Sequence, residues 1–455
     1  MHKSYVSFLA YSPSLFLLHT DTSWVVYVHF DEALEMTTDG KNLVIVPGAS
    51  LPVPQNLDSE LTQALRYLRD TPTSLASLTD RIDVGKALAI TKSPLQDITT
   101  EKLVDNLENY LGLHSVQQIL RSLSLISARS WSELKAVVKS GIQQKPELKE
   151  KLIDALVMQQ ACDLKAVSYH VVPASFVKLV ELAISSVRVP DSEIAVAYPL
   201  RINEEQLKQD NGELKPVRVF QDEYGCGIVL SRKRVFTISQ DIGSENFNSA
   251  LKEQFPDADK IVAVKSVARQ TFDTLYFNRE AGLLEMRADI MRDATVVQTS
   301  KQMDKSNTDL KIYSSRLLSG MVSGLLLDAP INMFPLTTKV YADKSGAIKR
   351  LGFVTDTDSV KRETMKAGVD LRDELFHKSG ASAIDHKMSI FEVAIQWHGD
   401  EVVGGVKGSK PEIHIPGTYR DYVNLNPRTD YIVVKGVRTF ADANFIVSKI
   451  NSYRT

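Results

Sequence analysis

Cysteine is scarce in this chain. The two present, Cys162 and Cys226, lie far apart and in no metal-ligand spacing. A disulfide framework and a cysteine-rich zinc site within one chain are thereby excluded, and a reducing cytoplasm is the expected compartment. Long apolar runs are lacking as well. The stretch 8–18 is interrupted by Ser12-Pro13-Ser14 and is too short to span a bilayer. Lys3 and a broken apolar core also make a poor signal peptide. No membrane partner is expected. The net charge is only −2, so the chain as a whole has no electrostatic footprint for nucleic acid or an anionic membrane.

Catalytic signatures are missing too. There is no G-x-S-x-G, no H-E-x-x-H and no strand-borne G-x-G-x-x-G. The glycine-rich run from Gly404 to Pro411 lacks Walker spacing, and Pro411 stands where a phosphate-binding helix would begin. Pro256-Asp257 is followed only by Ala263-Val264-Lys265, so a nuclease core of the type PD…(D/E)xK would lack its second acid. These patterns predict no catalytic residue, no cofactor and no resident metal.

What is present describes a globular protein. At 455 residues the chain is long enough for two to four domains. Hydrophobic residues at 43% and charged residues at 24% are a folded balance. The charge is uneven. Residues 1–212 carry 20 Lys+Arg against 25 Asp+Glu, 213–300 carry 12 against 13, and 301–455 carry 22 against 18. The C-terminal third is therefore basic and permits a polyanion partner.

The clearest strand signals lie at 216–290. Leu284, Met286, Ala288 and Ile290 alternate with Glu285, Arg287 and Asp289, as in a half-buried strand. The run 271–277 is aromatic and β-branched, and Gly282 lies in the short link between the two, so a hairpin is predicted. Residues 228–230 and 235–238 suggest a second hairpin with Arg232, Lys233 and Arg234 at its tip. A short helix is predicted at 246–255, ahead of Pro256, and a short buried strand at 261–264.

Elsewhere, three short strands are expected at 6–10, 24–30 and 43–46. Helices dominate 57–188, including one with Leu57, Leu61, Leu65 and Leu68 on one face. Ser130 should cap a helix that Gly141 stops, and Pro146 should start the next. Residues 304–309 look like a polar loop, and 339–342, 348–354, 392–397 and 431–434 like strands. The predicted fold class is α+β and multidomain, with a helical N-terminal region followed by two mainly antiparallel sheet domains. The expected parts are 1–50, 51–190, 191–300 and 301–455.

Several patterns bear on binding. The run Leu111-Gly112-Leu113-His114-Ser115 resembles the turn of a helix-turn-helix DNA-binding unit. Glycine would supply a positive φ there, and Ser115 would cap the second helix. The resemblance implies that Ser115, Gln117, Gln118 and Arg121 face a major groove; plain packing of two helices is the competing reading. Arg232, Lys233 and Arg234 on a hairpin tip would clamp phosphates, or simply be solvated. His377, His386, His398 and His414 fall within 38 residues, beside Asp385, Asp400 and Glu412. Side chains of this kind from different strands build divalent-metal sites. Asp358 or Ser359 should cap a helix containing Lys361 and Arg362.

The expected function is a non-enzymatic binding or scaffold subunit of a cytoplasmic bacterial assembly. A protein partner is expected first and nucleic acid next, and defence against foreign DNA is a setting that fits. One alternative is a metal-dependent phosphodiesterase or nuclease using Asp385, His386 and their neighbours. Another is a purely structural protein-interaction subunit.

Overall fold

The computed structural model describes residues 98–291, 296–297, 300–319, 322, 327, 329–366, 369–384, 387–398 and 408–454, and strand residues 16–20, 23–27, 33–37 and 43–45. The chain divides into two compact units. One holds 1–92, 173–188 and 317–325, the other 93–172, 189–316 and 326–455.

In the first unit, β1 (Phe16–Thr20), β2 (Ser23–Tyr27), β3 (Ala33–Thr37) and β4 (Leu43–Ile45) form an antiparallel sheet in chain order. The expected strand at 6–10 and the helix bearing Leu57, Leu61, Leu65 and Leu68 lie outside the described residues. A helix at Val177–Ser185 buries Val180, Ala183 and Ile184.

The second unit opens with α1 (Thr100–Tyr110), α2 (Leu113–Ser122), α3 (Trp131–Gln144) and α4 (Glu147–Ala161). Ser130 caps α3, its hydroxyl accepting the Glu133 N–H at 3.3 Å. Gly141 does not stop α3. A Cβ there would come 2.9 Å from Leu148 Cδ2, so glycine marks a close helix crossing. Pro146 does start α4, whose Leu148, Leu152 and Leu156 are fully buried.

Then come β5 (Lys165–Val171), β6 (Lys215–Gln221), β7 (Gly225–Gly243), α5 (Ser249–Gln254), β8 (Lys260–Asn278), β9 (Leu283–Asp289) and β10 (Val296–Val297). After them lie α6 (Ser300–Ser319), α7 (Thr337–Ala342), β11 (Ala347–Thr355), β12 (Val360–Thr364) and α8 (Leu375–Ala383). The chain closes with β13 (Met388–Gln396), β14 (Glu412–Ile415), β15 (Ile432–Lys435) and α9 (Phe440–Arg454).

These strands make one antiparallel sheet in the order β10-β7-β8-β9-β5-β15-β14-β13-β11-β12, with β6 also paired to β7. The α+β expectation holds. Pro216 sits in β6 beside a register shift, as proline tolerates only edge strands and bulges. Asn278 and Leu283 close the predicted β8–β9 hairpin, with Gly282 at φ +61°.

One apolar cluster runs through the unit. Leu103, Leu107, Leu120 and Leu134 of the helices join Val167 and Tyr169 of β5, Phe272 of β8, and Ile395, Ile413 and Ile432 farther along the sheet. Trp397 follows β13 fully buried, its ring edge-on to Phe445 of α9 at 5.4 Å. Asp343 fastens α9, accepting from Lys449 Nζ at 2.9 Å and Tyr453 Oη at 2.6 Å.

Ion pairs lie inside this architecture. Where β9 diverges from β8, Lys165 Nζ donates to Phe272 O at 2.6 Å and to Asp289 at 2.7 Å, and Asp289 accepts the Phe272 N–H at 3.1 Å. A charged pair thus satisfies backbone groups that a neighbouring strand would otherwise pair. The charged side of β9 is not solvated as alternation predicts. Glu285 and Arg287 are both 2% exposed and pair at 3.1 Å, and Arg287 also donates to Ala161 O at 3.2 Å.

Other expectations are corrected. Residues 304–309 belong to α6, whose buried stripe is Met303, Ser306, Leu310 and Ser314. Two serines in that stripe hid the helical period. Residues 337–342 are the helix α7. Val360–Thr364 is the strand β12, reached through Asp358 at φ +57°, so no helix is capped there.

Candidate functional site

The residues that alternate away from the apolar cluster in β11–β15 form a strongly charged surface. Ile413 and Ile415, Val393 and Ile395, and Ile432 and Val434 face the helices. Their strand neighbours therefore point the other way. Antiparallel register aligns those neighbours in rows: Lys435 with Glu412 and Gln396, His414 with Ala394 and Arg350, and Glu392 with Gly352 and Arg362.

In the last row Gly352 contributes no side chain. Arg362 reaches across it, placing Nε 3.1 Å from Glu392. Glu392 also receives Arg350 Nη1 at 3.3 Å and His414 Nε2 at 2.9 Å. Glu412 pairs with Lys435 Nζ at 2.8 Å and accepts from Gln396 at 2.9 Å. The two carboxylates are almost buried, while Arg350, Arg362 and Lys435 side chains are about half exposed. Two pins thus hold a set of cations toward solvent.

Lys349, Lys366 and Lys410 line the same shallow groove, of about 440 Å³. Lys366 and Lys410 are exposed and make no ion pair among the described residues. Lys349 donates to Val369 O at 3.1 Å. Burial lowers its pKa, Glu412 opposes that, and the like charge of Lys410 adds to it. Six cations therefore face two carboxylates, before His414 is counted.

Burial alone would raise the Glu392 carboxyl, but His414 and then Arg350 outweigh it and hold the pKa below the ordinary glutamate value. The folded-state value lies below the unfolded one, so this cage contributes its full stabilisation above about pH 4.3 and loses it as acid protonates the folded carboxylate. Glu392→Gln is expected to flatten the acid limb of the stability–pH profile, measured as thermal midpoint between pH 3 and 7.

Of the residues singled out from sequence, His414 and Glu412 lie on this face, while the predicted nucleic-acid contacts do not. Arg232, Lys233 and Arg234 are not a hairpin tip; they lie in the middle of β7, whose pairing with β8 is unbroken through them. Arg232 and Arg234 pair with Asp273 at 3.3 and 2.8 Å, and Arg232 also reaches Asp309 of α6 at 2.6 Å. Lys233 donates to Lys208 O at 2.9 Å.

Gly112 is extended at φ −70°, so the turn between α1 and α2 needs no positive φ. Gly112, not Ser115, occupies the cap position of α2. Ser115 is half-buried inside the helix, Gln117 donates to Ala128 O at 2.7 Å, Gln118 accepts from Arg438, and Arg121 is exposed in the last turn.

The described histidines His377 and His414 have separate carboxylate partners. His377 is 3% exposed, held between Glu363 at 2.5 Å and Tyr341 at 2.9 Å. His414 belongs to the Glu392 cage, while Asp385, His386 and Asp400 lie outside the described residues. Among the described residues, no group of three or more His, Cys, Asp or Glu side chains could hold a metal ion. Cys162 and Cys226 are buried, and burial pushes the Cys162 thiol up to about 11, which makes it unreactive. Among the described residues, no helix is long and apolar enough to cross a membrane.

A larger cleft, of about 920 Å³, has mixed charge: Asp105, Asp191, Glu193 and Glu204 against Lys102, Arg201 and Arg269. Arg201 there is already spent on Tyr110, which accepts its Nε–H at 3.0 Å. The basic face is thus the better-defined candidate. The sequence showed the net charge of this region and named His414, Glu412 and Arg362, but not their grouping, because they converge only through the pairing of five strands. No family model matches the chain, and no curated protein is similar to it at a significant level.

Proposed function

We propose that this protein is a non-catalytic binding subunit that takes a nucleic-acid backbone on the basic face of β11–β15, as part of a larger assembly. One observation carries the reading. Six cations stand on one open sheet face, and among the described residues the two carboxylates set between them, Glu392 and Glu412, are both pinned and almost buried. Such a face attracts phosphates without reading bases. The proposal moves the contact away from α2 and β7, where Gln117, Gln118, Arg232 and Arg234 are engaged with protein groups.

Fluorescence anisotropy of the full chain with single-stranded and duplex oligonucleotides tests it. About four uncompensated charges predict a log K against log salt slope of roughly −3. Lys366→Glu with Lys410→Glu, both at exposed positions, should weaken binding at least about tenfold at about 50 mM salt and reduce the slope by about 1 to 2. Binding that ignores this double variant overturns the site. Oligonucleotide cleavage that requires Mg²⁺ or Mn²⁺ overturns the non-catalytic reading.

A further inference from the structure

Strands β7 and β8 continue together well past the body of the sheet. Their register runs unbroken from Val235↔Ala268 to Gly243↔Lys260, so the distal ribbon is nine residue pairs long, about 30 Å at the usual rise. The sequence suggested a short buried strand at 261–264. Instead Val262 is 49% and Val264 64% exposed, with Ala263, Lys265 and Ser266 exposed beside them.

The two edges of this ribbon differ. β6 and β10 pair with β7 on its outer side. On the outer side of β8, β9 pairs only with Thr274–Asn278, and Lys165 and Asp289 satisfy Phe272. From Lys260 to Ala268 no described strand pairs with that edge. Folded proteins guard such edges with proline, bulges, inward charges or lysines. This one has no proline and no register shift; its sequence, KIVAVKSVA, is mostly aliphatic, and its guards are two exposed lysines, Lys260 and Lys265.

We infer that the β8 edge is a self-association surface, and that its occupant is the same edge of a second copy of this chain, paired antiparallel about a two-fold axis at Val264. The residues carry this register. It sets Val264 against Val264 of the second copy, Ala263 against Lys265, Val262 against Ser266, Ile261 against Val267 and Lys260 against Ala268. No like charges face each other, and the exposed valines of both copies make one apolar stripe on one face. The edge strand β12 at the far end of the sheet lacks this property. Self-pairing of β12 about its centre would put Arg362 against Arg362, and like charges directly opposite are destabilising.

Sedimentation equilibrium of the full chain tests the inference. The contact is one strand long, so a dimer with Kd on the order of micromolar is expected. Val264→Asp and Val264→Lys each place like charges across the axis, and each should weaken the dimer at least about tenfold. Mixed in equal amounts, the two variants should form a heterodimer, because opposite charges then face each other. Val264→Cys should form an intermolecular disulfide under mild oxidation, with little background because Cys162 and Cys226 are buried. A wild-type chain that stays monomeric at about a hundred times the expected Kd overturns the inference. So does a dimer that both charged variants leave intact.

Discussion

Lys165→Met is expected to unfold the chain or to cost about 3–5 kcal/mol of its stability. The ammonium is completely buried, 2.7 Å from Asp289 and 2.6 Å from the carbonyl of Phe272. A methionine fills the volume but leaves the carboxylate and the carbonyl without their cation. The damage spreads because Asp273 accepts the Asp289 N–H at 2.8 Å and pairs with Arg232 and Arg234. Whole domains are stable by only about 5–15 kcal/mol, so the effect is a large share of the total. Chemical denaturation reads it as a lower midpoint at constant slope. Lys165→Met combined with Asp289→Leu should recover part of the loss, since the carboxylate deprived of its ammonium is then gone. A midpoint for Lys165→Met within about 1 kcal/mol of wild type would show that the pair is dispensable.

Gly436→Ala is expected to be strongly damaging as well. Gly436 has φ +76°, and a Cβ there would come 2.0 Å from the carbonyl oxygen of Lys410. The left-handed conformation costs an alanine about 1–2 kcal/mol. The collision is additional, because a backbone atom cannot swing aside as a flexible side chain can. The neighbouring Val437 N–H is held by Asp163 at 3.1 Å, so the turn has little freedom to shift. The expected loss is about 3 kcal/mol. Because Lys410 belongs to the basic face, oligonucleotide affinity should fall together with thermal stability. Gly380→Ala is the control: a Cβ in that helix meets nothing within 4 Å, and stability should hold or rise slightly. Equal effects at the two glycines would refute the steric account.

Local grammar was legible in the sequence. Ser130 and Pro146 open helices where expected, and Leu284, Met286 and Ala288 mark β9. What failed depended on partners distant in sequence. Arg232 and Arg234 looked like solvated loop charges because Asp273 and Asp309, which pair with them, lie far along the chain. Glu285 and Arg287 looked like an outward face because nothing nearby announces Ala161 and Cys162 over them. The basic face was harder still. Arg350, Glu392, His414 and Lys435 stand on different strands, and only the ladder register makes them neighbours. Nearness in sequence was no guide to the partners of the described histidines either: His377 meets Glu363 and His414 meets Glu392.

The position of β5 governs how the molecule must be made. Val167 is laddered on one side to Arg287 and on the other to Ile432. A nascent chain therefore emerges from the ribosome with this apolar strand complete and both of its neighbours unsynthesised. Closure is dominated by non-local contacts, which slows folding and leaves sticky intermediates. Such a chain invites chaperones during synthesis, and a translation product that stops before Ile432 would present one raw flank of β5 to any other strand it met.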